Sequence, residues 1–580
     1  MRTPSLNAAA VRVRPVPAPA MLPDEVEVLV SGGGPVGSAL AIELSRRGVR
    51  PLVLERRAEV QTANVRARNI SVRTMELCRR WGVAGTFRSA RTLPGDWHRG
   101  MIVSTRVAGY ELCPPVYGDR PIWTPHAPWH EIAAEPPLDL PQYHVNRILR
   151  DRGLALGARL ALGWEVESVE QDTSGVTVGV RHLADGRLQY VRAGYVVGCD
   201  GARSAVRRSA GIAQHETEPQ GRMLNVTFRF PDGFTALGVR PGVLFNVFNG
   251  DVSGLISPYE KEWWRVGIGP IPLDTDVTGL DLRDQIRRYL GFDADIDSIS
   301  YTSHVVQKRL VSTYRLGRVL VAGDAAVAFP PHLGQNLNTG VADAATLGWI
   351  LAAVVQGWGG DGLLDGYAAE RRTTSERLAD ATLAASTGWK AIGERLRAEP
   401  AFEDDTPEGA QIRAAVGREI AALLGSGADG LLFDHRHATS PIVVPDGTAP
   451  PPFDPARYRP AALAGHHAPL VWLGEDDPLS DHFGTWFTLL DFGARDRDVE
   501  AIAQAAFRAG LPLTVLEVTD PEARARYDTQ LVLVRPDHLI AWRGNTAPSD
   551  PRALMDTVRG AAADRSPTPF SDVMPIGAAS

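Results

Sequence analysis

The 580-residue chain has three cysteines, three lysines and no long apolar run, and each scarcity removes a class of protein. Cys78, Cys113 and Cys199 form neither a CxxC pair nor a metal-ligand cluster, so they read as inert, partly buried thiols in a reducing compartment. The most apolar stretch, residues 347–355, is far short of a membrane span. A net charge of −7 supplies neither the basic face that nucleic acid requires nor attraction to an anionic membrane. Positive charge is almost all arginine, with lysine only at 261, 308 and 390, a bias read as genome composition. The first twenty residues carry Pro4, Pro15, Pro17 and Pro19 and lack the apolar core of a signal peptide. Residues 1–22 are therefore expected to be a disordered lead, with Met21 an alternative start, and the expected location is the cytoplasm.

What is present is an ordinary globular balance, 44% apolar and 22% charged, over a length that calls for three or four folding units. An apolar run at 25–30 ends at a glycine cluster, 38–47 has helical period, and 52–54 is apolar again. That is a strand, turn, helix and strand, the opening of a parallel α/β sheet. Residues 73–80 suggest a further helix, and 91–141, rich in Pro and Trp, suggest surface loops. Alternation over 163–183 predicts a hairpin turning at Asp172-Thr173-Ser174-Gly175. Further strands are expected at 195–198, 224–230, 243–248, 263–268 and 319–322, then a long loop and a helix over about 340–355. After a Pro-rich linker at 445–455, strands at 486–490, 513–518 and 531–534 alternate with helices at 496–509 and 551–561.

Three loops carry the chemistry. Gly32-Gly33-Gly34-Pro35-Val36-Gly37 fits GxGxxG between a strand and a helix. Gly32 permits the tight turn, Gly34 lets backbone approach a pyrophosphate, and Gly37 lets helix and strand pack closely. The helix N-terminus, with Pro35 at its start, offers N–H groups to the phosphates, and Glu55 ends the next strand where an acid bonds ribose hydroxyls. NAD and FAD share this fingerprint. Gly323-Asp324-Ala325-Ala326, with the loop from Pro330 to Gly340, favours the flavin, because an Asp there can accept a bond from a ribityl hydroxyl. Small residues in the loop would then meet a flat ring edge.

With these two joined by Asp200-Gly201-Ala202-Arg203-Ser204-Ala205-Val206-Arg207, the chain resembles the flavoprotein aromatic hydroxylases, single-component monooxygenases of the p-hydroxybenzoate hydroxylase type. Arg66-Ala67, Arg73-Thr74-Met75-Glu76, Pro141-Gln142 on a flavin-touching strand, and Tyr367 with Glu370-Arg371-Arg372 extend the likeness over about 25–375. Ser440-Pro441-Ile442-Val443, Tyr458-Arg459-Pro460, Arg535-Pro536-Asp537 and Ala541-Trp542-Arg543 resemble the thioredoxin-like tail of phenol and polyketide hydroxylases. The tail holds no cysteine, so packing or dimer stabilisation is its expected role.

The resemblance implies an α/β protein: a Rossmann-like FAD-binding domain (23–100 with 142–215 and 305–400), an interleaved β-sheet substrate domain (101–141 with 216–304), a helix and linker (401–455) and a thioredoxin-like domain (456–580). It implies that Arg66 neutralises the pyrophosphate, with Arg56 beside the ribose acid, and that Gln142 meets the ribityl or ring region. Asp200 and Arg203 would position pyrophosphate and nicotinamide, and Asp324 would hold the ribityl chain. Pro331 would lie near the flavin N5, beside Gly334, with Leu337 and Asn338 at the pyrimidine edge. NADPH or NADH would reduce FAD, O2 would add to give a C4a-hydroperoxide, and an electron-rich phenolate would take the distal oxygen. The family often has His at Val327, glycine at Leu333 and Asn336, and a small residue at Arg68, so the flavin's swing between two positions is the feature these departures touch.

A proton-accepting base is not dictated by spacing. His332, beside Pro331, is the candidate, although a histidine in such a place more often bonds backbone or faces solvent. Trp123, Trp129, Trp263 and Trp264 suit core packing better than a pocket wall, and His435, His437, His466 and His467 match no metal spacing. The expected substrate is a polycyclic polyketide-type aromatic, acted on by a monomer or homodimer. Rival outcomes are a Baeyer–Villiger or oxidative rearrangement of a quinone, a plain NAD-dependent dehydrogenase, and a non-catalytic flavin-binding protein. A flavin halogenase is disfavoured, because Gly-Trp-x-Trp-x-Ile-Pro is missing.

Overall fold

The computed structural model describes residues 21–58, 69–93, 101–114, 128–233, 244–425 and 427–562. They form two compact units, one of Met1–Gly348, Arg371–Phe433 and Asp454–Tyr458, the other of Trp349–Glu370, Asp434–Phe453 and Arg459–Ser580.

The larger unit is built on an eight-stranded sheet. Its main path runs Arg315–Leu316, Val319–Val321, Leu188–Gly198, Glu25–Ser31, Leu52–Glu55 and Arg159–Leu162. Trp164–Gln171 and Val176–His182 form the expected hairpin, which joins at Leu188–Gly198. The central strands are parallel and covered on both faces, so they read as unbroken apolar runs: Val28, Leu29, Val30, Val196, Val197, Val319, Leu320 and Val321 are fully buried. The crossover helix Pro35–Ser45 is buried from Gly37 onward. That burial includes Glu43, whose carboxylate is surrounded by Arg47, Arg80 and the Trp81 indole at 2.6 Å. Burial opposes its charge, but the arginines win and hold it well below the usual carboxylate range.

A six-stranded sheet in the same unit has the order Asp297–Val305, Arg222–Arg229, Trp263–Ile271, Ser253–Pro258, Leu244–Phe248 and Met101–Ser104. Alternation in Arg222–Arg229 sends Leu224, Val226 and Phe228 to one face, where the helix Leu282–Leu290 covers them with Ile286, Tyr289 and Leu290. Trp264 is part of this core, as expected, while Trp123 lies outside the described residues. The opposite face carries a polar row. Arg265 Nη2 donates to Asn225 Oδ1 at 3.0 Å, Asn225 Nδ2 lies 3.2 Å from His304 Nδ1, and Thr227 meets Ser300 at 2.8 Å.

Three details differ from the sequence reading. Pro141-Gln142 does not lie on a strand; Gln142 opens the helix Gln142–Ala155, whose Val145, Ile148 and Leu149 give it a buried helical stripe. The loop-rich region contains the strand Met101–Ser104, added in parallel beside Leu244–Phe248. The helix expected from 340 starts at Asn336, and Gly362–Ala398 forms a 37-residue helix whose full extent no punctuation marked.

The smaller unit has a four-stranded sheet ordered Leu513–Glu517, Phe487–Asp491, Leu531–Val534 and Ile540–Gly544, with one parallel and two antiparallel pairings. Its polar centre explains two of the tail motifs. Arg535, fully buried, donates to Glu370 at 2.6 and 2.9 Å and to Asp537 at 2.6 Å, while Ser440 caps Glu370 at 2.6 Å. The guanidinium also lies 5.3 Å from the Trp349 ring centroid.

Candidate functional site

The parallel strands Glu25–Ser31, Leu188–Gly198 and Val319–Val321 are registered so that Ser31, Gly198 and Val321 end side by side. Each strand runs directly into one of the three loops, so residues almost 300 positions apart meet at one sheet edge. Open α/β sheets bind ligands at that carboxyl edge.

The glycines explain how closely the loops meet. Gly32 has φ +108°, and a side-chain carbon there would stand 2.3 Å from the Cys199 carbonyl oxygen. One on Gly37 would stand 1.9 Å from the Gly32 carbonyl oxygen. Val36 fills the space against Gly323 and Gly340, tying the first loop to the third. Gly34 is different: a carbon added there meets nothing within 4 Å. It also begins the helix Pro35–Ser45 without any side-chain cap, so the first-turn N–H groups face an open cradle. Beside it, Glu55 accepts from Gly33 N and Arg57 N, each at 3.0 Å.

Asp200 supplies the other wall. Its Oδ2 accepts from Ala205 N at 2.8 Å and Val206 N at 3.2 Å, capping the short helix Ala205–Ser209. Its Oδ1 is buried without a partner among the described residues. Arg203 is exposed nearby, and Asp324 sits half-buried in the turn Gly323–Ala325. An uncapped helix end and an acid closing the second strand are what an adenine dinucleotide requires.

Other predicted positions are used differently. Asn338 donates to Asn69 O at 3.1 Å and Gly334 O at 3.0 Å, and accepts from Ser71 N at 2.9 Å and Thr74 Oγ1 at 2.8 Å. With all four valences occupied, its side chain has none left for a flavin, and only its main chain can face one. Gly334 owes its smallness to Asn69, 2.9 Å from where a side chain would begin. Arg56 is exposed and pairs with Glu165 at 3.3 Å, a surface contact. Gln142 is half-buried, Leu337 buried and Pro331 exposed. Arg66 and Arg68 lie outside the described residues.

His332 is half-buried, without a protein hydrogen-bond partner among the described residues, and desolvation pushes its pKa down to about 4. It is neutral near pH 7 and a weaker base than an ordinary histidine. Leu333 holds φ +65°, a conformation that suits glycine better than leucine. Asn336 bonds both the carbonyl (2.9 Å) and the N–H (3.3 Å) of Phe329, closing the loop.

Arg207, Asp343 and Arg371, motif residues to which the resemblance assigns no role of their own, hold the loops together. Arg207 donates to Ala202 O at 3.2 Å and Ala325 O at 3.1 Å, joining the second loop to the third. Asp343, fully buried, accepts from Gly323 N at 2.9 Å and from Arg371 at 2.6 Å. All three stood in the motifs; for Asp343, a charged residue within the otherwise apolar helix Asn336–Val355 was the available signal. The cysteines are free, and burial raises the thiol pKa of each.

This geometry defines a dinucleotide-binding protein with a flavin-type third loop. The FAD binding domain family matches residues 25–382, and the aromatic-ring hydroxylase C-terminal family matches 461–562. The chain is 30% identical over 581 residues to 4-methyl-5-nitrocatechol 5-monooxygenase of a Burkholderia species, covering 94% of this chain and 99% of that one. Its fold is similar to the rebeccamycin biosynthetic enzyme RebC with reduced flavin (TM-score 0.81, 34% identity, 93% and 100% covered). It is also similar to aklavinone-11 hydroxylase, solved with FAD and aklavinone (TM-score 0.76, 26% identity, 93% and 99% covered). The chain belongs to the FAD-binding aromatic-ring hydroxylases, and it is an FAD-dependent monooxygenase.

The segment His332–Val355 is long and apolar enough to cross a membrane, but 83% of its apolar window is buried in the protein. That burial marks it as a core helix.

Proposed function

We propose that the protein hydroxylates an aromatic, polycyclic polyketide-type substrate, using O2 and electrons from NADPH or NADH. The observation that carries the flavin half of this reading is the open cradle at Gly34, flanked by Glu55 and the unpartnered Asp200 Oδ1. The bound flavin supplies electron transfer and activation of O2. The chain's own residues bind and orient. The first-turn N–H groups and, by resemblance, Arg66 hold the pyrophosphate, while Glu55 takes the ribose. Asp324 takes the ribityl chain, with Gln142, Pro331, Gly334, Leu337 and the Asn338 main chain around the ring.

The substrate half rests on likeness to enzymes such as aklavinone-11 hydroxylase across nearly the whole chain, and on the polar row of the six-stranded sheet. Arg265, oriented by Asn225, and His304 offer donors to the oxygenated rim of a flat substrate, and the apolar side of the sheet is already packed. His332, held neutral, serves this reading as a hydrogen-bond acceptor for the substrate hydroxyl.

The test is NAD(P)H consumption and O2 uptake by the purified holoprotein with phenols and polycyclic hydroxyquinones, followed by product structure. Coupled, substrate-triggered uptake with one oxygen atom added to an intact ring supports hydroxylation. An expanded or cleaved ring establishes the Baeyer–Villiger or rearrangement outcome instead. No stimulation by any polycyclic compound, with good stimulation by simple phenols, defeats the substrate class.

A further inference from the structure

His144 and Glu260 meet in the larger unit, with His144 Nε2 4.0 Å from Glu260 Oε1 and the side chains 20% and 29% exposed. Glu260 pairs with no lysine or arginine among the described residues. Of the charged groups on its own turn, Glu262 is engaged by Arg229 at 3.0 Å, and Lys261 forms no ion pair among the described residues. On the helix side, His144 Nδ1 is buried without a partner among the described residues, its ring lies 4.3 Å from that of Tyr143, and Arg147 is the positive charge acting on it.

Both groups stand on segments that border the candidate site. Asp139 pairs with Asn69, which bonds Gly334 and Asn338 of the third loop, and the helix Gln142–Ala155 starts three residues after Asp139. His144 is therefore in the first turn of a helix anchored at that loop. Glu260 lies in the turn between the strands Ser253–Pro258 and Trp263–Ile271. There Tyr259 N and Glu260 N donate to Trp263 O at 2.9 and 3.3 Å, and Thr92 Oγ1 donates to Tyr259 O. These strands set Ser257 opposite Arg265, so the turn ends the strand pair that carries Arg265 of the polar row.

Burial raises the Glu260 carboxyl to about 6 and lowers His144 to about 4. Near pH 7 Glu260 is an anion with more affinity for a proton than an ordinary carboxylate, and it faces a neutral imidazole able to donate one N–H. His332, also lowered to about 4, holds a proton less well. The 4.0 Å gap is longer than a hydrogen bond, but such pairs often close only when substrate binds. Resting on the hydroxylation reading above, we propose that Glu260 accepts the proton of the substrate hydroxyl and that His144 positions its carboxylate. The substrate O–H bond breaks and its electron pair stays on the phenolate oxygen. The proton goes to Glu260 Oε2, with Oε1 turned to His144, and leaves to water from the exposed part of the side chain.

The test uses the holoprotein with an aromatic that triggers O2 uptake, over a range of pH. Wild-type kcat/KM should fall below about pH 6, and Glu260→Gln should lower it by about 100-fold at neutral pH and abolish that fall. Glu260→Asp should recover part of the loss. A nitrophenol whose hydroxyl is already ionised at the assay pH should escape most of it, which a merely structural defect would not allow. Binding gives a readout without turnover. With no NAD(P)H present, flavin fluorescence should show a phenol with a neutral hydroxyl binding about 10-fold tighter at neutral pH than at about pH 5. That difference should shrink in His144→Phe and vanish in Glu260→Gln. Unchanged flavin absorbance and melting temperature verify that each variant is folded. A Glu260→Gln enzyme with the wild-type pH profile, or one equally impaired with neutral and ionised substrates, overturns the proposal and leaves the hydroxylation reading standing. A wild type that hydroxylates no aromatic overturns both.

Discussion

Replacing Gly34 by alanine should separate folding from cofactor binding. The new methyl group, ~1.5 Å from Cα, meets no protein atom within 4 Å, and Gly34 has φ −73° and ψ −172°, which an L-residue adopts without strain. Loss of glycine's freedom in the unfolded chain favours the variant by about 0.4–1 kcal/mol. Alanine is a poorer helix N-cap by a similar amount, so apoprotein stability should stay within about 0.5 kcal/mol of wild type. The methyl group nonetheless occupies the open cradle, so a pyrophosphate must retreat from the first-turn N–H groups. Losing two charge-assisted hydrogen bonds of about 1.5 kcal/mol each weakens FAD binding by ~100-fold. Gly37→Ala is the contrast: its carbon would stand 1.9 Å from the Gly32 carbonyl oxygen, so the apoprotein itself should unfold more easily. The assay is an apoprotein melt together with FAD titration by fluorescence quenching. A Gly34→Ala protein that melts normally and binds FAD at wild-type strength would show that the phosphates do not lie at this helix end.

Arg535→Ala should destabilise the smaller unit by about 3–5 kcal/mol, because it leaves the buried Glu370 and Asp537 carboxylates uncompensated; a urea midpoint equal to wild type contradicts this. Asn338→Leu strands Ser71 N, Thr74 Oγ1 and two carbonyls, and should cost about 2–4 kcal/mol in a urea melt while loosening FAD; Asn338→Asp keeps the acceptor but sets a carboxylate oxygen against the Asn69 and Gly334 carbonyls, and should be no milder. His332 and His144 both have pKa values lowered from 6.5 to about 4 by desolvation, so the unfolded chain takes up protons first as pH falls. Stability should therefore be flat above pH 6.5, decline between 6.5 and 4, and decline less in His332→Gln; identical melting-temperature slopes in both proteins would refute this.

Parallel strands were legible because burial on both faces writes them as apolar runs, and glycine positions were legible because close backbone contact admits no side chain. The helix Gly362–Ala398 was not legible as one piece: its apolar residues serve different surroundings along its length, so no single stripe persists. The strand Met101–Ser104 was missed because four residues of strand have no period to speak of, and only its partner Leu244–Phe248 makes it one. Gln142 was placed on a strand because a motif carries residue identity, not backbone angles.

By itself the sequence determined the order of the three loops, the fingerprint of a flavin nucleotide site and the absence of cysteine from the tail. Tertiary structure decided which of those side chains remain available to a ligand. Asn338 is consumed by Ser71, Thr74, Asn69 and Gly334, whereas Asp200 keeps one oxygen unpartnered and Gly34 keeps its cradle open. The physical reason is that hydrogen-bond capacity is finite and shared among neighbours, and neighbours from distant parts of the chain are known only once it has folded.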